Sequence, residues 1–358
     1  MRGWWRTYVA TLPVLIAIVI MAMGAVSCRR QVNSVHKSRT AVLPSSRGLP
    51  YELALLIPRT LYTGQLRDTL DAILRGSTPG LPQHEPMFRL NVVYADGHLG
   101  DGGFSGRHLT AWRTFRLRLL VDTAQTTQLG VARDVAARPQ VEVRATAPTP
   151  SQLAQMLGHE REKLTDIFVE AEIEREIVAL SRRHSQRVST ELAAVEPHAR
   201  VWVPTGLKAT KRGQHFLWAG TNLVDKDQNY VFYTYPWDGH PLSVASLVQH
   251  RDSVMRVNIP GSQPGQWMQT ARMDGEPLVL PRARTINNVL FLEMRGLWEL
   301  RAGPLGGPFV ALARVDTARQ RVIVSEGFVY SPHSPKRPLV RQMEAAIRTL
   351  HIDNQATN

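Results

Sequence analysis

The run HERE, His159 to Glu162, sets a histidine beside carboxylates as a zinc-protease helix does. That chemistry needs a second imidazole four residues on, so that both rings reach one ion. Position 163 is Lys, which excludes it. GDGGFSG, residues 100–106, has the look of a phosphate cradle, but Ser105 holds the third glycine position and no strand–helix setting flanks it. It also fails as a nucleophile elbow, because Arg107 stands where the final Gly belongs. DKDQN from Asp225 offers oxygen ligands at alternate positions, as a calcium loop would. Tyr230 replaces its required Gly and Pro236 its bidentate Glu, so a turn between strands is the simpler reading. No carboxylate pair, Ser/His/Asp set or metal cluster stands out. The expectation is no catalytic residue, cofactor or metal, short of a site assembled from distant segments.

The one cysteine, Cys28, has chemistry of another kind. Ahead of it lies MRGWWRTYVATLPVLIAIVIMAMGAVS, with Arg2 and Arg6 as the only charges before a long apolar run. A basic start, an apolar core and small residues before a cut make a secretory signal. Ala25, Val26 and Ser27 lead into Cys28 in a way that resembles a bacterial lipobox, the recognition site of lipoprotein signal peptidase. The resemblance implies lipidation of Cys28 as the first mature residue. The same run is also about long enough to span a bilayer uncleaved. The small residues before the sole thiol favour the lipid handle.

The chain has 358 residues, 43% hydrophobic and 20% charged, which describes a folded protein. Removing residues 1–27 takes away Arg2 and Arg6 and no acid, so the formal charge of +13 becomes about +11. Export removes nucleic acid as a partner. The basic surface then suits anionic lipid or anionic envelope polymers. The expected organisation is a signal peptide (1–27), a lipid-anchored tether (28–50), a first unit (51–195) and a second, more β-rich unit (196–358).

Periodicity places the elements. YELALLIP, MFRLNVVYA, FRLRLLVDT and QVEVRATA read as strands, and RTLYTGQLRDTLDAILRG as a helix with Leu66, Leu70, Ile73 and Leu74 on one face. The longest helix is predicted over 150–185, with Thr149 as cap, Pro150 in the first turn and Gln152 completing a capping box. Its core stripe runs Leu153, Leu157, Leu164, Ile167, Phe168, Ala171 and Val178. After residue 200, short strands dominate, with helices at SLVQHRDSVMRV and PLVRQMEAAIRTL. An echo at an offset of 181 pairs Leu66 with Leu247, Asp71 with Asp252, Arg75 with Arg256 and Pro79-Gly80 with Pro260-Gly261. The expected fold class is therefore α+β: antiparallel sheets with packed helices, in two related units produced by internal duplication.

LPSSRGLPYELALL, HFLWAGTN with DQNYVFYTYP, RDSVMRVNIPG, and RGLWELRAGPLGGPFVALARVD with VIVSEGFVYSP together resemble an uncharacterised family of Bacteroidota lipoproteins, catalogued only as a domain of unknown function. The resemblance implies a lipid-anchored protein of the cell envelope and brings no reaction with it. A binding or structural module, meeting the membrane through its anchor and an envelope polymer or protein through its body, is the expected function. An envelope hydrolase acting on glycan or peptide is the alternative. A binding patch is expected at Arg295, Trp298, Glu299 and Arg301, beside the glycines and prolines of residues 303–308. The competing reading makes that segment a tight strand connection with Trp298 in the core.

Overall fold

A strand apolar at nearly every position must be covered on both faces, which is the usual setting of parallel strands. In the computed structural model, which describes residues 43–98 and 112–353, this governs the first half of the chain. Strand β1 (Glu52–Pro58) is buried at every residue but its first. Leu53, Leu55 and Ile57 enter the main core, while Ala54 and Leu56 face a small second layer with Trp112 and Leu120. Helix α1 (Gly64–Leu74) leads from β1 to β2 (Arg89–Ala95), which lies parallel beside it. β3 (Leu117–Thr123) pairs parallel to the other edge of β1, and β5 (Val141–Ala147) parallel to β3. Only β4 (Gln128–Arg133), on the outer edge, is antiparallel.

Thr149 caps α2 (Pro150–His159) by accepting the N–H of Gln152 at 3.3 Å, with Pro150 in the first turn. The helix does not run on to 185. It breaks at Glu160 and resumes as α3 (Arg161–Arg182), at 22 residues the longest helix described. Leu153, Leu157, Leu164, Phe168 and Ala171 are buried as the stripe requires, whereas Val178 is 50% exposed. α4 (Gln186–Val195), capped by Ser185, leads into the second half.

Beside two short two-stranded ladders, at 272–277 and at 199–200 with 351–352, that half is built on one eight-stranded antiparallel sheet. Its strands are β6 (Ala209–Gly213), β7 (Phe216–Gly220), β8 (Asp227–Pro236), β9 (Met268–Thr270), β10 (Val279–Ile286), β11 (Val289–Leu300), β12 (Gly306–Asp316) and β13 (Arg321–Tyr330). They lie in the order β9–β11–β12–β13–β8–β7–β6, with β10 paired along the rest of the β11 edge. Helix α5 (Val244–Asn258) packs on one face and α6 (Arg337–Ile347) on the other. Gly327 of β13 makes room for α6: a Cβ there would sit 2.7 Å from that of Met343. Inside the α5 face, Arg251 donates two bonds to Glu326, at 2.9 and 2.7 Å, and neither side chain is exposed. Burial pushes Glu326 upward, and the guanidinium in two-point contact pulls against it.

The α+β class with packed helices is what the chain adopts. Two expectations are corrected. The first sheet is mixed and mostly parallel, and its order β2–β1–β3–β5–β4 has no counterpart in the second, so the two halves are not copies. The echo aligns α1 with α5, but α1 joins neighbouring parallel strands whereas α5 joins β8 to β9, which lie far apart in their sheet. One apolar cluster also runs through both halves, from Leu53 and Phe168 to Tyr230, Ile323 and Met343. Cys28 and the Gly-rich loop at 100–106 lie outside the described residues. No helix of the described residues is long and apolar enough to cross a membrane.

Candidate ligand cleft

Between α1, the start of α3, and the hairpin of β10 and β11 lies a cleft of about 450 Å³, within the range of small-molecule sites. Ile73, Met87, Val169 and Leu280 supply apolar walls. Arginines line much of the remainder: Arg161 from α3, Arg282 and Arg284 from β10, Arg295 from β11 and Arg341 from α6. The turn at Asn287 and Asn288, with φ of 49° and 63°, holds the hairpin in register. Residues two apart share a strand face, so Arg282 and Arg284 line up along one side.

Carboxylates hold this floor in place. Arg295 donates Nε to Glu293 at 2.8 Å and Nη1 to Glu344. Arg341 donates to the other oxygen of Glu344 at 2.8 Å and lies over the Tyr51 ring. Burial alone would raise Glu344, yet Arg295, Arg341 and Arg348 outweigh it and hold the carboxyl at about 2. Arg284 reaches Glu170 at 2.7 Å and Glu293 at 2.7 Å. Arg282 forks onto Asp166 at 3.1 and 2.6 Å. Removing one member of such a buried set costs more than the set contributes, because the remaining charges lose their partners.

Some donors remain unengaged. Among the described residues, the exposed Arg161 guanidinium and Nη2 of Arg284 and of Arg295 make no hydrogen bond within the protein, and Nε of Arg284 and of Arg341 are buried without a partner in hydrogen-bonding geometry. Nη2 of Arg341 meets only the sulfur of Met87, at 3.5 Å. Beyond the Arg282–Asp166 pair lies a second cavity of about 620 Å³, which shares Glu162, Asp166 and Arg282 with the first. At the rim, Ser77 Oγ lies 2.7 Å from His84 Nδ1, both exposed.

The four residues expected to form a surface patch are dispersed. Arg295 is buried in the cleft floor, facing α6. Trp298, on the opposite face of β11, is interior and donates Nε1 to the carbonyl of Val329 at 3.1 Å. Glu299 accepts from Gln269, and exposed Arg301 lies 4.3 Å from the ring centre of Trp267. They form no common surface, because β11 is paired along both edges and covered on both faces. The glycines nearby serve the sheet itself: a Cβ on Gly307 would collide with the carbonyl of Val329. In the DKDQN loop, Asp227 accepts from Thr221 and from the N–H of Leu223, closing the turn on itself. Among the described residues no three His, Cys, Asp or Glu side chains gather as a metal site. Arg282, Arg284, Glu293, Arg341 and Glu344 went unnoticed in the sequence. Their one local sign is charge at alternate strand positions, Arg282 with Arg284 and Glu293 with Arg295.

Residues 46–181 match the family model described as Domain of unknown function (DUF8532), and residues 187–349 match Domain of unknown function (DUF4837). No curated protein matches the chain in sequence. Among solved structures it is similar to the Saccharomyces cerevisiae Ran-binding protein Mog1p, at 10% identity over 43% of this chain and 90% of that one, with a TM-score of 0.28. A mutant of Mog1 gives 10% identity, the same coverage and a TM-score of 0.27. Likeness at that level says nothing about the fold or activity of this chain. What the chain carries is two successive matches, each to a family described as a domain of unknown function.

Proposed function

We propose that this chain is a binding module of the cell envelope, held at a membrane through its N-terminal segment, with the arginine-lined cleft as its ligand site. The observation that carries the reading is the set of arginine N–H groups without acceptors in a cleft of ligand size. Ala72 is exposed on α1 and lines the cleft, so Ala72→Trp fills the space without disturbing the core. Native mass spectrometry of the full chain from its own membranes should find a small molecule bound to wild type and missing from this variant. The same molecule retained in Ala72→Trp would sink the reading.

Anchoring through Cys28 is supported by the sequence of residues 1–28. Radiolabelled palmitate should enter wild type and not Cys28→Ala, while an intact N-terminus at Met1 in membranes would count against processing.

An envelope hydrolase is the second reading, favoured by one observation: the Ser77–His84 contact at the rim. His84 is placed to take the proton of Ser77 as the oxygen attacks an acyl carbon. Its other ring nitrogen has no orienting carboxylate among the described residues, which a working pair usually has. Ester or amide hydrolysis by wild type and its loss in Ser77→Ala would establish this second reading over the first.

A further inference from the structure

Charge balance says which ligands the cleft can hold. Its lining contributes Arg161, Arg282, Arg284, Arg295 and Arg341 against Glu162, Asp166 and Glu293. Glu170 and Glu344 stand immediately behind, bonded to Arg284, Arg295 and Arg341. Arg348 stands there too, bonded to Glu170, so six arginines meet five carboxylates and the surplus is a single positive charge, too little to hold a polyanion. What is left over is donors. Asp166, Glu293 and Glu344 already accept from arginines, whereas Arg161, Arg284 and Arg295 keep N–H groups free of acceptors. A single anionic head satisfies the free donors and matches that surplus.

The walls decide the remainder of the ligand. Ile73, Met87 and Leu280 face the same space, and Leu280 is 53% exposed. An apolar stem would remove that surface from water. A peptide strand added to β10 is disfavoured. The two-residue turn makes Ile286 and Val289 a hydrogen-bonded pair, so alternation turns the backbone groups of Val279, Pro281 and Ala283 toward the free edge. Pro281 has no N–H to offer there, and Arg282 and Arg284 are tied across to α3, so the edge is blunted against pairing.

We infer that the cleft binds a small monoanionic amphiphile, its carboxylate on the free N–H groups of Arg161, Arg284 and Arg295 and its apolar stem against Ile73, Met87 and Leu280. This rests on the cleft being the ligand site. Isothermal titration of the purified full chain with octanoate, octanol and pyrophosphate tests it, using wild type, Arg161→Gln and Ala72→Trp. Arg161 has no side-chain partner to lose, so its variant folds normally. Octanoate should bind wild type about tenfold or more tightly than octanol, weaken about tenfold in Arg161→Gln and fail to bind Ala72→Trp. Octanol binding as tightly as octanoate would overturn the carboxylate. Pyrophosphate binding, or no octanoate binding at all, would overturn the ligand class. In both cases the cleft itself stands if Ala72→Trp still releases the native ligand. Octanoate bound equally by Ala72→Trp would place the amphiphile elsewhere and end this inference.

Discussion

Glu85 closes the end of a helix that begins at Arg337: its carboxylate accepts the backbone N–H of Arg337 at 2.8 Å and that of Lys336 at 2.7 Å. The first N–H groups of a helix have no partner within it, and a carboxylate there also meets the positive end of the helix dipole. The loop after α1 thus caps α6 across 252 residues of sequence. Glu85→Ala should cost about 1–2 kcal/mol. A urea midpoint that falls with an unchanged m-value is the expected record, and an unmoved midpoint would show the cap to be idle.

Two glycines should respond oppositely to alanine. Gly80 has φ +80°, and a Cβ there would lie 2.9 Å from that of Arg295, so Gly80→Ala should destabilise by roughly 1–2 kcal/mol. Gly158 lies within α2 with nothing near its Cβ position, and Gly158→Ala should stabilise by about 0.5–1 kcal/mol. Melting temperatures of the two variants check the pair.

Glu344 sets an acid limit. Its carboxyl is held at about 2 against an ordinary 4.5. A depressed carboxylate contributes stability that is fully present above 4.5 and lost as the pH falls toward 2. The contribution is on the order of 3 kcal/mol. Burial raises Glu172 and Glu326, which therefore favour the folded state more at low pH and oppose part of this loss. Glu344→Gln should be less stable than wild type at pH 7, with the gap closing between pH 4.5 and 2. A gap that stays constant would show that Glu344 does not titrate there.

The fully buried pair in the second sheet separates breaking an ion pair from replacing it. Glu326→Gln leaves Arg251 charged and should cost about 3–5 kcal/mol. The double change Arg251→Met with Glu326→Leu should be more stable than that single variant, because no buried charge survives. Equilibrium denaturation decides, and a double variant weaker than the single would contradict it.

Much of the fold was legible where local chemistry dictates it. Thr149, Pro150 and Gln152 announced a helix start because capping acts over three residues. The stop at Glu160 was passed over, although Gly158, a poor helix former, stands two residues before it. The unbroken apolar run from Leu53 to Ile57 was read as a strand but placed in an antiparallel sheet, although burial on both faces suits the parallel neighbours it has. Arg282 and Arg284 stood at alternate positions in the sequence, but Asp166 and Glu170, their partners, lie more than a hundred residues away. No spacing rule links such pairs. Arg295 was singled out for its type and misplaced, since its burial depends on α6 arriving from the C-terminus.

That last helix has a consequence for the order of synthesis. α6 leaves the ribosome after the other helices and the two main sheets described, yet Arg341 and Arg348 reach back to Tyr51 and Glu170 in the first half. Until they arrive, Glu85 has no helix to cap, and the apolar surface that α6 covers, including Ile323 and Tyr230, stays open. A nascent chain is therefore incompletely packed until residue 347 has emerged, and a chain stalled before residue 337 should be cut by protease in the strands that α6 covers.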